Sequence, residues 1–130
     1  MSVVVGYVPS REGAVVLERA IAEARSRGTR LVALNVPRAA EFAQDFVAGA
    51  EDLQHLDEAL AAAGLDHEVR RGSGESTPAD DLLDLVDEVG AELVVIGLRR
   101  RSPVGKMIMG STSQRVLLDA PCPVLAVQFD

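Results

Sequence analysis

The chain has 130 residues, the length of one ordinary domain, with 48% hydrophobic residues but only 3% aromatic and no Trp. A chain this long buries roughly two-thirds of its unfolded surface without crosslinks or metals, and its aliphatic composition is the one that parallel sheets covered by helices use. A net charge of −7 argues against general nucleic-acid binding and against attraction to an anionic membrane.

Cys122 is the one cysteine, so no internal disulfide can form, and a reducing compartment fits. Met1-Ser2 leads straight into a short apolar stretch ending at Pro9, unlike a secretory signal. No segment reaches the ~20 apolar residues of a membrane span. The expectation is a soluble, cytoplasmic protein without membrane contact.

In chain order, Ser2–Val8 is a Val-rich first strand ended by Pro9. Ser10 is placed to cap a helix whose Leu17, Ala20, Ile21 and Ala24 fall at helical spacing, with Gly28 as its stop. Arg30–Val36 is a second strand closed by Pro37. Residues 39–50 are ambiguous, because Gly49 interrupts a helical pattern. From Glu51 the periodicity of Leu53, Leu56, Leu60 and Ala63 predicts a helix up to Gly64. Leu65–Arg70 is a short polar strand, at or near an edge.

Thr77, Pro78 and Asp80 combine a cap, a first-position proline and an early acid, so a helix starts there and ends at Gly90. Ala91–Gly97 is the strongest strand pattern in the chain and reads as central. A loop of some thirteen residues follows, then a helix over about Ser111–Leu118 and a last strand, Val124–Phe129. The alternation predicts one α/β domain over 1–130, an open five-stranded parallel sheet with helices on both faces. Ligands of such sheets bind at the carboxyl ends of the strands, where the strand order reverses.

The chemistry concentrates in Val95-Ile-Gly-Leu-Arg-Arg-Arg-Ser-Pro-Val-Gly-Lys-Met-Ile-Met-Gly-Ser-Thr-Ser113. Residues 41–68 hold eight acids and residues 75–92 seven, neither with a Lys or Arg, whereas Arg99, Arg100, Arg101 and Lys106 cluster without an acid. Gly97 ends a buried strand, Gly105 bends the loop, and Gly110 opens a helix whose N–H groups and dipole favour an anion. Ser111, Thr112 and Ser113 add hydroxyl donors. In the simpler reading Ser111 only caps the helix and the arginines only solvate a loop; the whole constellation favours a phosphate-sized anion site. It is not a Walker A loop, because Lys106 precedes Met107 and Arg100 stands where the leading glycine belongs.

This stretch resembles the signature of the universal stress protein family: Gly, two residues, Gly, nine residues, then Gly followed by Ser or Thr. Here it reads Gly97, two residues, Arg100, nine residues, Gly110-Ser111, and Gln114–Val127 is similar to the family's C-terminal segment. The resemblance spans the chain in length and element order. It implies strand order 3-2-1-4-5, an architecture like that of the adenine nucleotide alpha hydrolases. It also implies ATP as cofactor, with Mg²⁺ able to accompany it, the loop around the phosphates and Val36 at the adenine.

Two departures from the family matter. Arg100 replaces the second glycine and would either crowd the phosphates or clasp them. Val8 stands near the place where nucleotide binders carry an Asp, which removes a polar contact to the nucleoside. Binding led by the polyphosphate, with weak discrimination among nucleoside triphosphates, is therefore expected.

Other candidates read as structural. His55 and His67 lack a second His or Cys at metal spacing and are taken as surface residues. Cys122 packs as a small apolar residue. Asp80-Asp81 and Asp87-Glu88 fit a solvated helix face better than acid/base catalysis. Phe42 and Phe46 form a packing pair. No nucleophile–base pair stands out, so at most slow ATP hydrolysis is expected. Two readings compete, a nucleotide-occupied regulatory homodimer and an interaction or signalling dimer without nucleotide. In either, Val124, Leu125, Ala126 and Val127 form an apolar sheet edge suited to self-pairing. A dinucleotide dehydrogenase is disfavoured, because only Gly6 and Gly13 flank the first turn, and a phospho-receiver lacks its acidic cluster.

Overall fold

The computed structural model describes residues 1–35, 50–73, 76–99 and 110–129. The elements are β1 (Ser2–Tyr7), α1 (Arg11–Arg27), β2 (Arg30–Asn35), α2 (Ala50–Ala62), β3 (His67–Arg71), α3 (Pro78–Val89), β4 (Ala91–Arg99), α4 (Ser111–Asp119) and β5 (Val124–Phe129). The five strands form one parallel sheet in the order β3-β2-β1-β4-β5. Architecture and strand order match the expectation.

Alternation along the strands sorts the aliphatic residues onto two faces. Val3 and Val5 of β1 face α1 and α2, with Val16, Leu17, Ala20, Leu56 and Leu60. Val4 faces the other way, toward Ala79, Leu82, Leu85 and Val86 of α3 and Val116 of α4. Val3, Val4 and Val5 are all fully buried, each contributing roughly 1.5–3 kcal/mol through burial. Because both faces of β1 are covered, a continuous apolar run, rather than alternation, marks it in the sequence.

Local signals set the helix ends. Ser10 Oγ accepts from the Gly13 N–H at 3.0 Å, and Thr77 Oγ1 accepts from the Asp80 N–H at 3.1 Å. Gly28 and Gly90 end α1 and α3 in the left-handed conformation, at φ 64° and 63°. Some boundaries shift from the sequence reading. β1 stops at Tyr7, one residue before Val8. β3 starts at His67, because Leu65 lies in the turn, where its carbonyl meets the His67 ring. β4 continues past Gly97 to Arg99, because its ladder with β5 extends through Leu98↔Gln128 and Arg99↔Phe129. The ambiguous 39–50 stretch, with Phe42 and Phe46, lies outside the described residues up to Ala50, where α2 begins.

His67 is not the surface residue expected. Its side chain is 16% exposed and joins β3 to α2, with Nε2 2.9 Å from Asp57 Oδ1 and Nδ1 2.8 Å from the Leu65 carbonyl. Both ring nitrogens face acceptors, so both must donate, which the imidazolium alone can do. The Leu65 carbonyl, aided by Asp57 and Asp66 and opposed by burial, raises the His67 pKa above 6.5. Stability from this contact is full below pH 6.5 and is lost as pH rises through the higher folded-state value. Urea midpoints measured across that window should fall with rising pH, and His67→Gln should flatten the fall. An unchanged pH profile in the variant would exclude the contact as its source.

Candidate functional site

The chain leaves β1 for α1 on one face of the sheet and leaves β4 toward α4 on the other. A crevice therefore opens at the carboxyl ends of these adjacent strands. Its two walls are built very differently.

On the β1 side the turn is closed on itself. The Ser10 hydroxyl accepts from Gly13 N–H and donates to the Val8 carbonyl at 3.3 Å. That carbonyl lies so close over the first turn of α1 that a Cβ built at Gly13 would be 1.7 Å from Val8 O. Val8 itself is half-buried against the α3/α4 side of the core and offers no carboxylate to a ligand. The α1 terminus is thus capped, carries Glu12 in its first turn, and is poorly suited to an anion.

On the β4 side the opposite holds. Gly110 is the N-cap of α4 with φ −73° and ψ 163°, no side chain among the described residues caps this terminus, and no acid lies in its first turn. Ser111 follows the cap position rather than occupying it, so the simpler reading of Ser111 as a cap does not apply. The Ser113 hydroxyl donates to the Gly97 carbonyl at 3.2 Å, which seats the first turn of α4 on β4. Ser113 thereby positions the helix, while Ser111 is exposed and Thr112 half-buried at the same terminus. A Cβ at Gly110 would meet nothing within 4 Å. Neither the backbone conformation nor packing by the described residues requires glycine there.

Among the three helices whose first turns are described, only this one has neither a side-chain cap nor a first-turn acid from the described residues to satisfy its N–H groups and dipole. Arg115, one turn further along α4, pairs with Asp80 of α3 and Asp119, and so braces α4 against α3. Hydrogen bonding from Arg115 first, and from Thr77 second, lowers the Asp80 pKa. Asp81 accepts from the Ser73 N–H and hydroxyl, at 3.1 and 2.9 Å. Both carboxylates are therefore tied into the α3 terminus.

Of the sequence-predicted site residues, the structure brings together Val8, Gly97, Gly110, Ser111, Thr112 and Ser113 at one end of the sheet. Arg99 ends β4. Val36, Arg100 and Gly105 lie outside the described residues. No group of three His, Cys, Asp or Glu able to hold a metal occurs among the described residues. Burial raises the pKa of half-buried Cys122, with Asp87 adding to it, as suits an inert packed thiol. No helix among the described residues is long and apolar enough to cross a membrane. The sequence reading passed over Asn35, a buried amide that ends β2 after four buried apolar residues, Leu31–Leu34. A lone polar residue closing such a strand was the available signal.

Comparison with known proteins agrees with this fold. The model of the universal stress protein family matches residues 1–128. A universal stress protein of Mycolicibacterium smegmatis is 36% identical over 126 residues, covering 97% of this chain and 96% of its own. A universal stress protein structure from Archaeoglobus fulgidus superposes with TM-score 0.81 at 32% identity, over 98% of both chains. Another family member, solved in complex with cAMP, gives TM-score 0.77 at 27% identity, over 100% of this chain and 98% of that one. The chain belongs to the universal stress protein family.

Proposed function

We propose that this protein binds an adenine nucleotide through its phosphates at the α4 terminus, and works as a nucleotide-occupied regulatory homodimer with little or no hydrolysis. The observation that carries the reading is the open N-terminus of α4, seated on β4 by the Ser113–Gly97 bond. The cAMP-bound relative supports the ligand class. ATP is the favoured nucleotide, with Gly110, Ser111 and Thr112 at the phosphates, joined by Arg99 at the end of β4 and by Arg100 and Gly105. Mg²⁺ would arrive on the phosphate oxygens. The cytoplasm is the proposed location, and the charge of −7 weighs against nucleic acid as a partner.

Mass spectrometry of ligand released from the purified protein tests this, with ATP or AMP as the expected species. Empty protein that also fails to bind millimolar ATP would leave the interaction-dimer reading, which Val8 favours. Arg100→Gly then fixes the part played by Arg100. A clasping arginine makes the variant bind ATP about ten- to a hundredfold more weakly, because charge-assisted hydrogen bonds contribute roughly 1.5–3 kcal/mol each. A blocking arginine makes the variant bind more tightly. Calorimetry separates the two by sign.

The dimer would form through β5, an edge strand paired only with β4, whose Val124, Leu125, Ala126 and Val127 are only half-buried. Leu118, 75% exposed on α4 just before β5, adds apolar surface nearby. Light scattering at tens of micromolar, an order-of-magnitude concentration that populates modest interfaces, should give twice the chain mass. A monomer there would count against the dimer.

A further inference from the structure

Arg115 is the one cation of α4, and it lies a single turn beyond Ser111. Residues four apart on a helix have Cβ atoms about 6 Å apart, and helical side chains lean toward the N-terminus. An extended arginine at this position therefore has the reach to lay its guanidinium over the first turn. Instead Arg115 is held from the side. Its Nη2 pairs with Asp80 of α3, and its Nε lies 3.4 Å from Asp119.

These contacts are weak enough to be exchanged. The three side chains are 46% exposed at Arg115, 37% at Asp80 and 55% at Asp119. Ion pairs in water contribute little, because solvent screens them and fixing two long side chains opposes them. A polyphosphate is a stronger partner, with several negative charges and oxygens that accept the paired N–H groups of a guanidinium in a bidentate contact. Nor does the exchange strand a charge. Asp80 sits in the first turn of α3, where its N–H donates to Thr77 Oγ1 at 3.1 Å and the helix dipole favours an acid.

We propose that Arg115 is an exchangeable phosphate ligand, held by Asp80 while the α4 terminus is empty and drawn onto the phosphates when a nucleotide binds. This rests on the nucleotide reading above and adds regulation to that site. Asp80 is then a positioning residue that lowers affinity, because it competes with the ligand for the same guanidinium. Occupancy of the terminus releases the brace between α3 and α4, so binding at one helix is felt by the other.

Calorimetry with ATP on the wild type, Asp80→Asn, Arg115→Gln and the double variant tests this. Arg115→Gln should bind ATP at least about tenfold more weakly, the scale of one charge-assisted hydrogen bond. Asp80→Asn should bind it several-fold more tightly, and the same change made in Arg115→Gln should have little effect. A purely structural brace predicts the opposite sign, so weaker binding by Asp80→Asn overturns the exchange. An equal gain in both backgrounds reduces Asp80 to general repulsion and overturns it too, as does unchanged affinity in Arg115→Gln. The wild type alone gives a second measurement, since the Arg115 Nε–H signal in NMR should move as ATP saturates the protein. A signal that stays in place while ATP binds overturns the exchange and leaves nucleotide binding intact. A wild type that binds no ATP overturns the nucleotide reading itself, and the exchange with it.

Discussion

Replacing Gly13 with alanine should cost this protein about 2 kcal/mol or more of stability, although alanine is the better helix former. In an open helix the exchange would gain up to about 1 kcal/mol. Here the new methyl would sit 1.7 Å from the Val8 carbonyl oxygen and 2.9 Å from its carbon. Those are backbone atoms one residue beyond β1, whose Val3–Val5 are fully buried. They cannot rotate aside as the tip of a side chain would. Forcing extra volume into a packed site costs typically 1–3 kcal/mol, and more where backbone must move. The clash therefore outweighs the propensity, and urea unfolding should show a clearly lowered midpoint. An unchanged or raised midpoint would mean that the β1–α1 turn is looser than its hydrogen bonds indicate.

Gly110→Ala should do the reverse, sparing the fold and damaging the site. At φ −73° with nothing within 4 Å, the added methyl meets neither strain nor crowding. Stability should change by no more than about 1 kcal/mol, the scale of an N-cap exchange. Affinity for ATP should drop at least tenfold, because the methyl occupies the space through which a phosphate reaches the first N–H groups of α4. Calorimetry and unfolding on one preparation read both quantities. Intact affinity in the variant would place the phosphate somewhere other than over Gly110.

The contrast between these glycines shows where sequence reading reaches and where it stops. Ser10, Thr77, Pro78, Gly28 and Gly90 act within a few residues of themselves, and their caps and stops were legible. Four of the five strands were legible as aliphatic runs and β3 as a short polar one, and right-handed crossovers left little choice of topology. The candidate anion site was legible because its parts are contiguous, a helix start with glycine and hydroxyls. Gly13 carried no signal, since its constraint is the Val8 carbonyl, which only the folded β1–α1 turn brings over it. His67 was misjudged because its partner, Asp57, lies ten residues away on another element. The end of β4 was misplaced because Arg99 looks like loop, while its register with Phe129 is a tertiary fact. Asn35 escaped notice because only the packed structure shows its amide oxygen buried without a hydrogen-bond partner among the described residues.

The central claim, that the first turn of α4 receives phosphate, is tested most directly by following backbone amides by NMR during titration with ATP. The account predicts that Ser111, Thr112 and Ser113 shift together and saturate, while Gly13, whose N–H is already bonded to Ser10, stays in place. Shifts absent from α4, or centred on the α1 terminus, would contradict it.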